Sequence, residues 1–595
     1  MILWLLALLW LLFSWRSANR ILARSLALDK MTVSLLAVFL PIFILGPLAN
    51  IFTAWFQLNN WTICLSLFLS WAGLFIVDKF LLAKEPPVSA EIEIERPGPF
   101  VFSNWLYLIF GLAAAGGFYL IARAVNGGYL TSPWEVLSDW LIAVVIILSA
   151  IIIYVIYCRK IPIAATLMMI MVFSLLIHSY LLVYQNGFGG DRFRHLGSEE
   201  RLIQEREYQP TLLTDNLWLK TIGPLTYPQA LTSPAKLSYG TMWSLEVIAA
   251  KLSGLSVFQV NRFLLPILWS IFLTVIIFAL AFLLRPDKRL ALLAAWLANS
   301  FYLFQYYGAQ GLPAAYGLLW LAFYFIFLIS HLKNPSRLKF WLLLIGLILM
   351  YFNYSLAFLL ASLGFIFVLT LIKKKKLIYV LAPLAILGLV GLDYLSSLTV
   401  AFSISKIWPA WLVGNLLDFH ALSRFGPLFG WRSELELLLA VGFFALLSVA
   451  LAKIWQRQDP AWLLVALMAK IILVAYFLSY WFWDGEHSLS RRLTLFAVLF
   501  LVLILADAAD RAIRGRKSLT AVGLALILFS ALAYYSGPVL DLAVTAQDLD
   551  RARVIWPAIR DQKDSCVEEP LSVILALEYV SAKEFQEAVN IINCK

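Results

Sequence analysis

The sequence predicts an all-α fold, a polytopic transmembrane helix bundle, and three observations predict it. Of the 595 residues, 62% are hydrophobic and only 14% charged, where a soluble domain carries about 25% charged residues. The apolar residues fall in runs of about 17 to 25, the length a helix needs to cross a ~30 Å hydrocarbon layer. The runs also lack the strict alternation of a membrane barrel, which leaves helices as the elements that satisfy their own backbone groups in lipid.

In chain order the spans fall at 1–15, 31–55, 61–78, 102–121, 138–157, 161–184, 258–284, 290–306, 312–331, 338–352, 354–373, 377–397, 434–453, 461–482, 492–510 and 518–536, about 16 in all. Residues 1–15, followed by Arg16, read either as an uncleaved anchor or as a short signal-like stretch without a small-residue cleavage site. With this count every other loop shares a side, and the basic residues test it. Loops 16–30, 79–101, 158–160, 285–289, 332–339, 373–376, 453–460 and 511–517 hold 25 of the 46 Lys and Arg, while the opposite short loops hold only Arg123, Arg491 and Arg492. The positive-inside rule therefore places the first group in the cytoplasm. The long segments 185–257, 398–433 and 537–595 fall outside, and their own basic residues do not oppose this, because long segments translocate largely regardless of charge. The net charge of +11 is then a topology signal and argues against nucleic acid as a partner.

The chain divides into a five-span membrane module of plain composition over 1–160, expected as a scaffold or partner-docking unit, a functional membrane module over 161–536, and a small external domain over 537–595. Cys566 and Cys594 both lie in the external tail, where an oxidising compartment permits a disulfide; two unpaired thiols are the alternative. Lys470, near the middle of its span, is expected to face the bundle, with Asp393 as a partner or a cavity in reach, since an unpaired charge there costs about 2.5–3.5 kcal/mol.

The candidate chemistry sits in the external segments. Gly190-Asp191-Arg192-Phe193-Arg194-His195 starts about seven residues after span 161–184 ends, and the run Ser198 to Arg206 follows it, with Glu199 and Glu200 at its start. That run, with Leu202 and Ile203 as its only strongly apolar members, reads as a helix lying on the membrane surface. Tyr239-Gly240 opens a partly inserted helix, Thr241 to Leu252. Trp483-Asp484-Gly485-Glu486-His487-Ser488-Leu489-Ser490-Arg491-Arg492 closes the set. Acid, base and arginine thus share one membrane face. Moving a sugar from a polyprenyl phosphate needs a base for the acceptor hydroxyl and cations for the departing phosphate. Asp191 suits the base; Arg491, Arg492 and His487 suit the phosphate, arginine offering a forked donor matched to its oxygens. His195 is placed to orient Asp191, to cap the surface helix or to move a proton.

This arrangement resembles the membrane glycosyltransferases of the GT-C type, related to the dolichyl-phosphate-mannose protein mannosyltransferases and bacterial lipid-linked sugar transferases. The resemblance covers about 161–595 and is carried by Asp191 just after a span, by the Tyr239-Gly240 helix with Leu252-Ser253-Gly254-Leu255, and by the Arg491-Arg492 pair at the head of a span. It implies an inverting transferase with Asp191, His195, Glu199 and Glu200 in the catalytic set and Arg194, Tyr239, Glu486, His487, Arg491 and Arg492 around the substrate. The partners it implies are a lipid-linked sugar phosphate donor, a glycan, lipid or protein acceptor, and membrane lipids, with the active site and C-terminus on the extracytoplasmic side. The family's first loop typically pairs two acids, whereas Asp191 is followed by Arg192, so the second acid and a divalent metal stay open. A multi-span transporter or flippase, which should show a repeat of interrupted helices, and a non-catalytic cell-envelope polysaccharide assembly or export protein are the competing classes.

The topology is checked by cysteine-accessibility labelling of intact cells. Probes at Lys373 to Lys376 and Arg511 to Lys517 should label only after permeabilisation, and probes at Asp191, Glu486 and residue 590 before it. Labelling of residue 590 only in permeabilised cells overturns the arrangement.

Overall fold

The computed structural model describes residues 2–81, 104–158, 163–209, 219–373, 375–396, 447–482, 488–513, 519–536, 544–560 and 569–582. The described chain is helical apart from one antiparallel hairpin, and eleven of its helices are long and apolar enough to cross a membrane. The protein is a multi-pass helical membrane protein. Its first half comprises α1 (Ile2–Ser25), α2 (Lys30–Trp55), α3 (Asn60–Ile76), α4 (Asn104–Arg123), α5 (Trp140–Cys158), α6 (Ile163–His178), α7 (Asp191–Ile203), β1 (Leu219–Ile222), β2 (Leu225–Pro228), α8 (Pro234–Ser253), α9 (Val257–Leu268) and α10 (Thr274–Leu284). Then follow α11 (Lys288–Ala298), α12 (Tyr302–Gly308), α13 (Pro313–Lys333), α14 (Arg337–Tyr351), α15 (Ser355–Lys373) and α16 (Ile378–Ser396). The last are α17 (447–457), α18 (Pro460–Phe482), α19 (Ser488–Ile513), α20 (Leu519–Ser536), α21 (Ala546–Ile559) and α22 (Leu571–Val580).

Helix α13 runs through the centre, with every residue from Pro313 to Leu332 buried. Helix α2 lies against it, and its sequence shows how the two are locked. Pro47 has no N–H to give to the carbonyl four residues back, at Phe43. That carbonyl instead accepts the indole N–H of Trp320 from α13 at 2.9 Å. Further along α2, the buried Asn50 amide donates to the Lys236 carbonyl at 2.9 Å and to the Phe352 carbonyl at 2.6 Å, tying α8 and the end of α14 to the same helix. Gly240 of α8 stands directly over the Asn50 side chain, where a Cβ would collide with the amide. A single apolar core continues from α1 to α20, so no packing boundary falls at residue 160, and α2 belongs to the body that carries the external segments.

Described residues beside several of the basic loops are joined to one another. Ser330 donates to the Ser25 carbonyl, Lys333 to the Leu284 carbonyl and Tyr157 to Asp510. Asp507 accepts Arg285 at 2.6 Å, Arg457 at 2.7 Å and Arg511 at 3.1 Å, and Arg285 also pairs with Asp510. At the other end of α13 lie α7, the start of α9, the turn before α13, Tyr354 and the head of α19. Segments 290–306 and 338–352, expected as spans, each differ from a full-length one. Helix α11 has 11 residues and is joined by the Asn299 to Phe301 turn to the short α12, and α14 has 15 residues. The span expected at 434–453 falls largely outside the described residues.

Three expectations change. Helix α7 is not laid on a lipid surface: Arg192, Phe193, His195, Leu196, Glu199 and Leu202 are buried, because α8 and α9 cover one side of it and α22 the other. Part of the long loop pairs as β1–β2, with Thr221 opposite Thr226. Lys470 is exposed rather than inside the bundle, on the same stripe of α18 as the half-buried Leu463 and Val474, an arrangement open to a long stem that snorkels its ammonium outward. The Asp393 side chain lies outside the described residues, as do Cys566 and Cys594.

Asp507 is the common acceptor for three guanidiniums, so Asp507→Ala should lower stability by about 2 kcal/mol, the range for losing charged hydrogen bonds. Asp550→Ala, which removes a 3.0 Å contact to Arg553 between exposed groups, should cost less than about 0.5 kcal/mol. Thermal unfolding in detergent compares the two, and equal effects would show that Asp507 does not hold this end together.

Candidate functional site

The site is built on α7. Residues Arg192, His195 and Glu199 stand three and seven positions apart, a spacing that puts them on one helix face, and that face is turned into the protein. The flank formed by Phe193 and Leu196 packs on Val544, Leu549, Ala552, Val573 and Leu577 of the C-terminal segment, each buried large side chain contributing on the order of 2 kcal/mol. Arg194 reaches Glu578 of α22 at 3.2 Å. Burial pushes the Glu578 carboxyl up to about 7 against the opposing pull of Arg194.

Beneath α7 two carboxyls meet without access to water. Glu199 and Glu246 are both fully buried. Asn261 Nδ2 donates to Glu246 Oε2 at 2.7 Å, and the Tyr316 hydroxyl donates to Glu246 Oε1 at 2.9 Å. Gly311 leaves the room for this group, since a Cβ there would lie 2.6 Å from Asn261 Nδ2 and 3.0 Å from Glu246 Oε1. Burial, then the neighbouring Glu246 charge, holds the Glu199 carboxyl well above the usual carboxylate range. Glu246 is raised too, chiefly by burial, while its hydrogen bonds oppose the rise. Arg192 supplies positive charge to both carboxyls, donates to the Phe258 carbonyl at 3.2 Å and lies over the Phe258 ring at 5.2 Å. Burial brings its guanidinium down to about 10, so it remains charged at neutral pH.

His195 links this cluster to a second one. The Trp243 indole N–H donates to His195 Nδ1 at 3.2 Å. Indole has a donor only, so Nδ1 is the acceptor and the neutral ring carries its proton on Nε2. Burial first, then the charges of Arg492 and Arg194, drives His195 down to about 3, and the imidazole is neutral at physiological pH. Its ring stands 5.1 Å from Tyr239. Tyr239 and Tyr354 are both hydrogen-bonded to Arg492, whose guanidinium lies 6.0 Å from the Tyr354 ring centre. Arg492, Tyr239, Tyr354, Tyr307 and Trp243 thus form an aromatic-walled cationic patch beside His195.

The residues singled out from sequence divide as follows. Asp191 is at the exposed start of α7, with its side chain 80% exposed and Arg194 at 3.8 Å. Glu200 is half-buried and accepts Gln204 at 3.2 Å. Glu199 is turned away from solvent into the Glu246 pair. His195, Arg194, Tyr239 and Arg492 are brought together. Glu486, His487 and the Arg491 side chain lie outside the described residues. Glu246, Asn261, Tyr316 and Trp243 escaped the sequence reading; Glu246, the one acid inside the otherwise apolar stretch Thr241 to Ala250, was the available signal. Among the described residues no three His, Cys, Asp or Glu side chains are placed to hold a metal ion. The carboxyl pair itself faces Arg192 and two hydrogen donors, a donor set that fits a proton better than a divalent cation. No protein-family model matches the chain, and no curated protein matches it either.

Glu578 carries a raised carboxyl in the folded state, so its contribution to docking α22 on α7 is present at acid pH. It is lost as pH climbs from about 4.5 through about 7. Amide exchange in α22 should therefore accelerate over that window, and Glu578→Gln should flatten the dependence; an unchanged pH dependence in the variant removes Glu578 as its source.

Proposed function

We propose that the chain is a membrane glycosyltransferase that moves a sugar from a polyprenyl-phosphate-linked donor to an acceptor hydroxyl on the external face of the membrane. The observation that carries this reading is the meeting of three segments that the GT-C resemblance picks out separately: the head of α7, Tyr239 and Arg492 gather around His195.

In this reading the exposed Asp191 carboxylate takes the proton of the acceptor hydroxyl while the hydroxyl oxygen attacks the anomeric carbon from the face opposite the phosphate. The bond from that carbon to the phosphate oxygen breaks, and the lipid phosphate leaves with the electron pair, giving inversion. Arg492, preset by Tyr239 and Tyr354, holds the phosphate, because a guanidinium fixed in advance stabilises charge as it develops. Arg194, held between Asp191 and Glu578, orients the carboxylate. Neutral His195 adds no charge between the two arginines. The active site and the C-terminal segment lie on the extracytoplasmic side of a topology of about sixteen spans.

Sugar transfer from a lipid-phosphate donor in detergent or vesicles tests the reading. Asp191→Asn should lower turnover by roughly 10²-fold or more with donor binding retained. Arg492→Ala should weaken donor binding by roughly tenfold or more through loss of a charge-assisted contact. Wild-type transfer by Asp191→Asn overturns the base assignment; donor-independent lipid or polysaccharide flux without transfer favours a transporter or export protein.

A further inference from the structure

Glu199 presents a chemical puzzle that the transfer reaction leaves unused. Neither of its oxygens receives a hydrogen from a protein donor among the described residues. The group it faces, and to which it is hydrogen-bonded, is the Glu246 carboxyl. Two carboxylates cannot hydrogen-bond each other, so one carboxyl must hold a proton. Two such groups enclosed together do not both ionise in any case, because desolvation and mutual repulsion add.

Which one holds the proton follows from the neighbours. Glu246 accepts from Asn261 and from Tyr316, one hydrogen on each oxygen. Donors favour the ionised form, and among the described residues Glu199 has none. The charged and titratable groups around the pair are Arg192, His195 and Glu200 on α7, Arg262 on α9, Tyr316 on α13 and Tyr579 on α22. Arg262 donates to the Leu182 and Tyr184 carbonyls, and its charge acts on Arg192. Arg192 is the guanidinium whose charge acts on both carboxyls, so one carboxylate balances it when the second carboxyl keeps its proton.

We propose that Glu199 carries the proton of a buried acid–carboxylate pair with Glu246, and that this pair is the positioning element that fixes α7 so that Asp191, Arg194 and His195 stand opposite Tyr239 and Arg492. Glu199 is a positioning residue and touches no reactant. Its contact spans α7, which carries Asp191, Arg194 and His195, and α8, which carries Tyr239, and Asn261 and Tyr316 extend it to α9 and α13. The catalytic consequence rests on the glycosyltransferase reading; the protonation does not.

The test uses the full-length protein in detergent at pH 8.5, where Glu578 is ionised. Infrared spectra of the wild type should contain the carbonyl stretch of a protonated carboxylic acid. Glu199→Gln should abolish that band, and Asp191→Asn should leave it. In the transfer assay Glu199→Ala should lower kcat at least tenfold with donor KM within about twofold, and Glu199→Gln should restore kcat, since a neutral amide can replace the neutral acid as donor to Glu246. Glu246→Gln should not restore it, because it leaves Arg192 without its counter-charge, and its thermal midpoint should fall below that of Glu199→Gln. The alkaline limb of the wild-type kcat profile, where the shared proton is lost, should be missing from Glu199→Gln. Absence of the acid band in the wild type, or its persistence in Glu199→Gln, overturns the proposal whatever the assay reports. Failure of transfer in the wild type with the band behaving as expected overturns the reaction and leaves the pair intact.

Discussion

Two carboxyl groups face each other with no access to water between α7 and α8, and the surrounding chain is arranged around the cost of placing them there. Each ionised carboxylate removed from water is penalised by several kcal/mol even after relaxation. The chain answers with an asymmetric environment among the described residues: two donors on Glu246, none on Glu199, and the Arg192 guanidinium within electrostatic reach of both. Gly311 has to be glycine because the turn before α13 comes within contact distance of this group. Arg192, which breaks the paired-acid pattern of the resembled family, supplies charge to a pair assembled instead from Glu199 and Glu246, on separate helices. Since α7 is also the helix that begins with the exposed Asp191, the same buried pair sets where that carboxylate stands.

The bundle beneath depends on a related principle, that polar groups freed inside an apolar body must find partners within it. Pro47 frees a carbonyl and Trp320 takes it; Asn50 closes the backbone of both Lys236 and Phe352. These contacts tie α2 to α8, α13 and α14, which explains why a segment of plain composition is inseparable from the body that bears the site. At the opposite end Asp507 and Asp510 gather three arginines, Arg285, Arg457 and Arg511. The two ends therefore use opposite devices: ion pairing near the basic loops, and a carboxyl pair with a retained proton under α7.

Much of this was legible in the sequence because the signal for a membrane helix is long and one-dimensional. The apolar runs gave the eleven long helices. The division at residue 160 was not legible, because composition reports how apolar a span is and says nothing of which neighbour it meets. Segment 290–306 looked like one span since the Asn299-Ser300 turn, satisfied by Gln305 and Ser174, contains neither glycine nor proline. Of the candidate residues, Asp191, Arg194, Tyr239 and Arg492 were singled out as polar residues beside lipid, whereas Glu246 was passed over inside its helix. The amphipathic reading of Ser198 to Arg206 failed because it began too late: started at Asp191, the same sequence shows its inward stripe at Arg192, His195 and Glu199.

That stripe also resolves the roles of the acids along α7. A base that must meet an acceptor hydroxyl has to be reachable, and among the acids of this helix Asp191 is the open one, with Arg194 near enough to orient it. Glu199, eight residues on, is two turns deeper and enclosed. An enclosed acid cannot exchange a proton with an incoming hydroxyl without the helix moving, but it can fix the helix. Glu200 is turned to the Gln204 amide at the half-buried edge. Position along one helix thus separates an open acid at its first turn from an enclosed one at its third, and in the proposed transferase the three acids, identical in type, take different roles from what α8, α9 and α22 place against each.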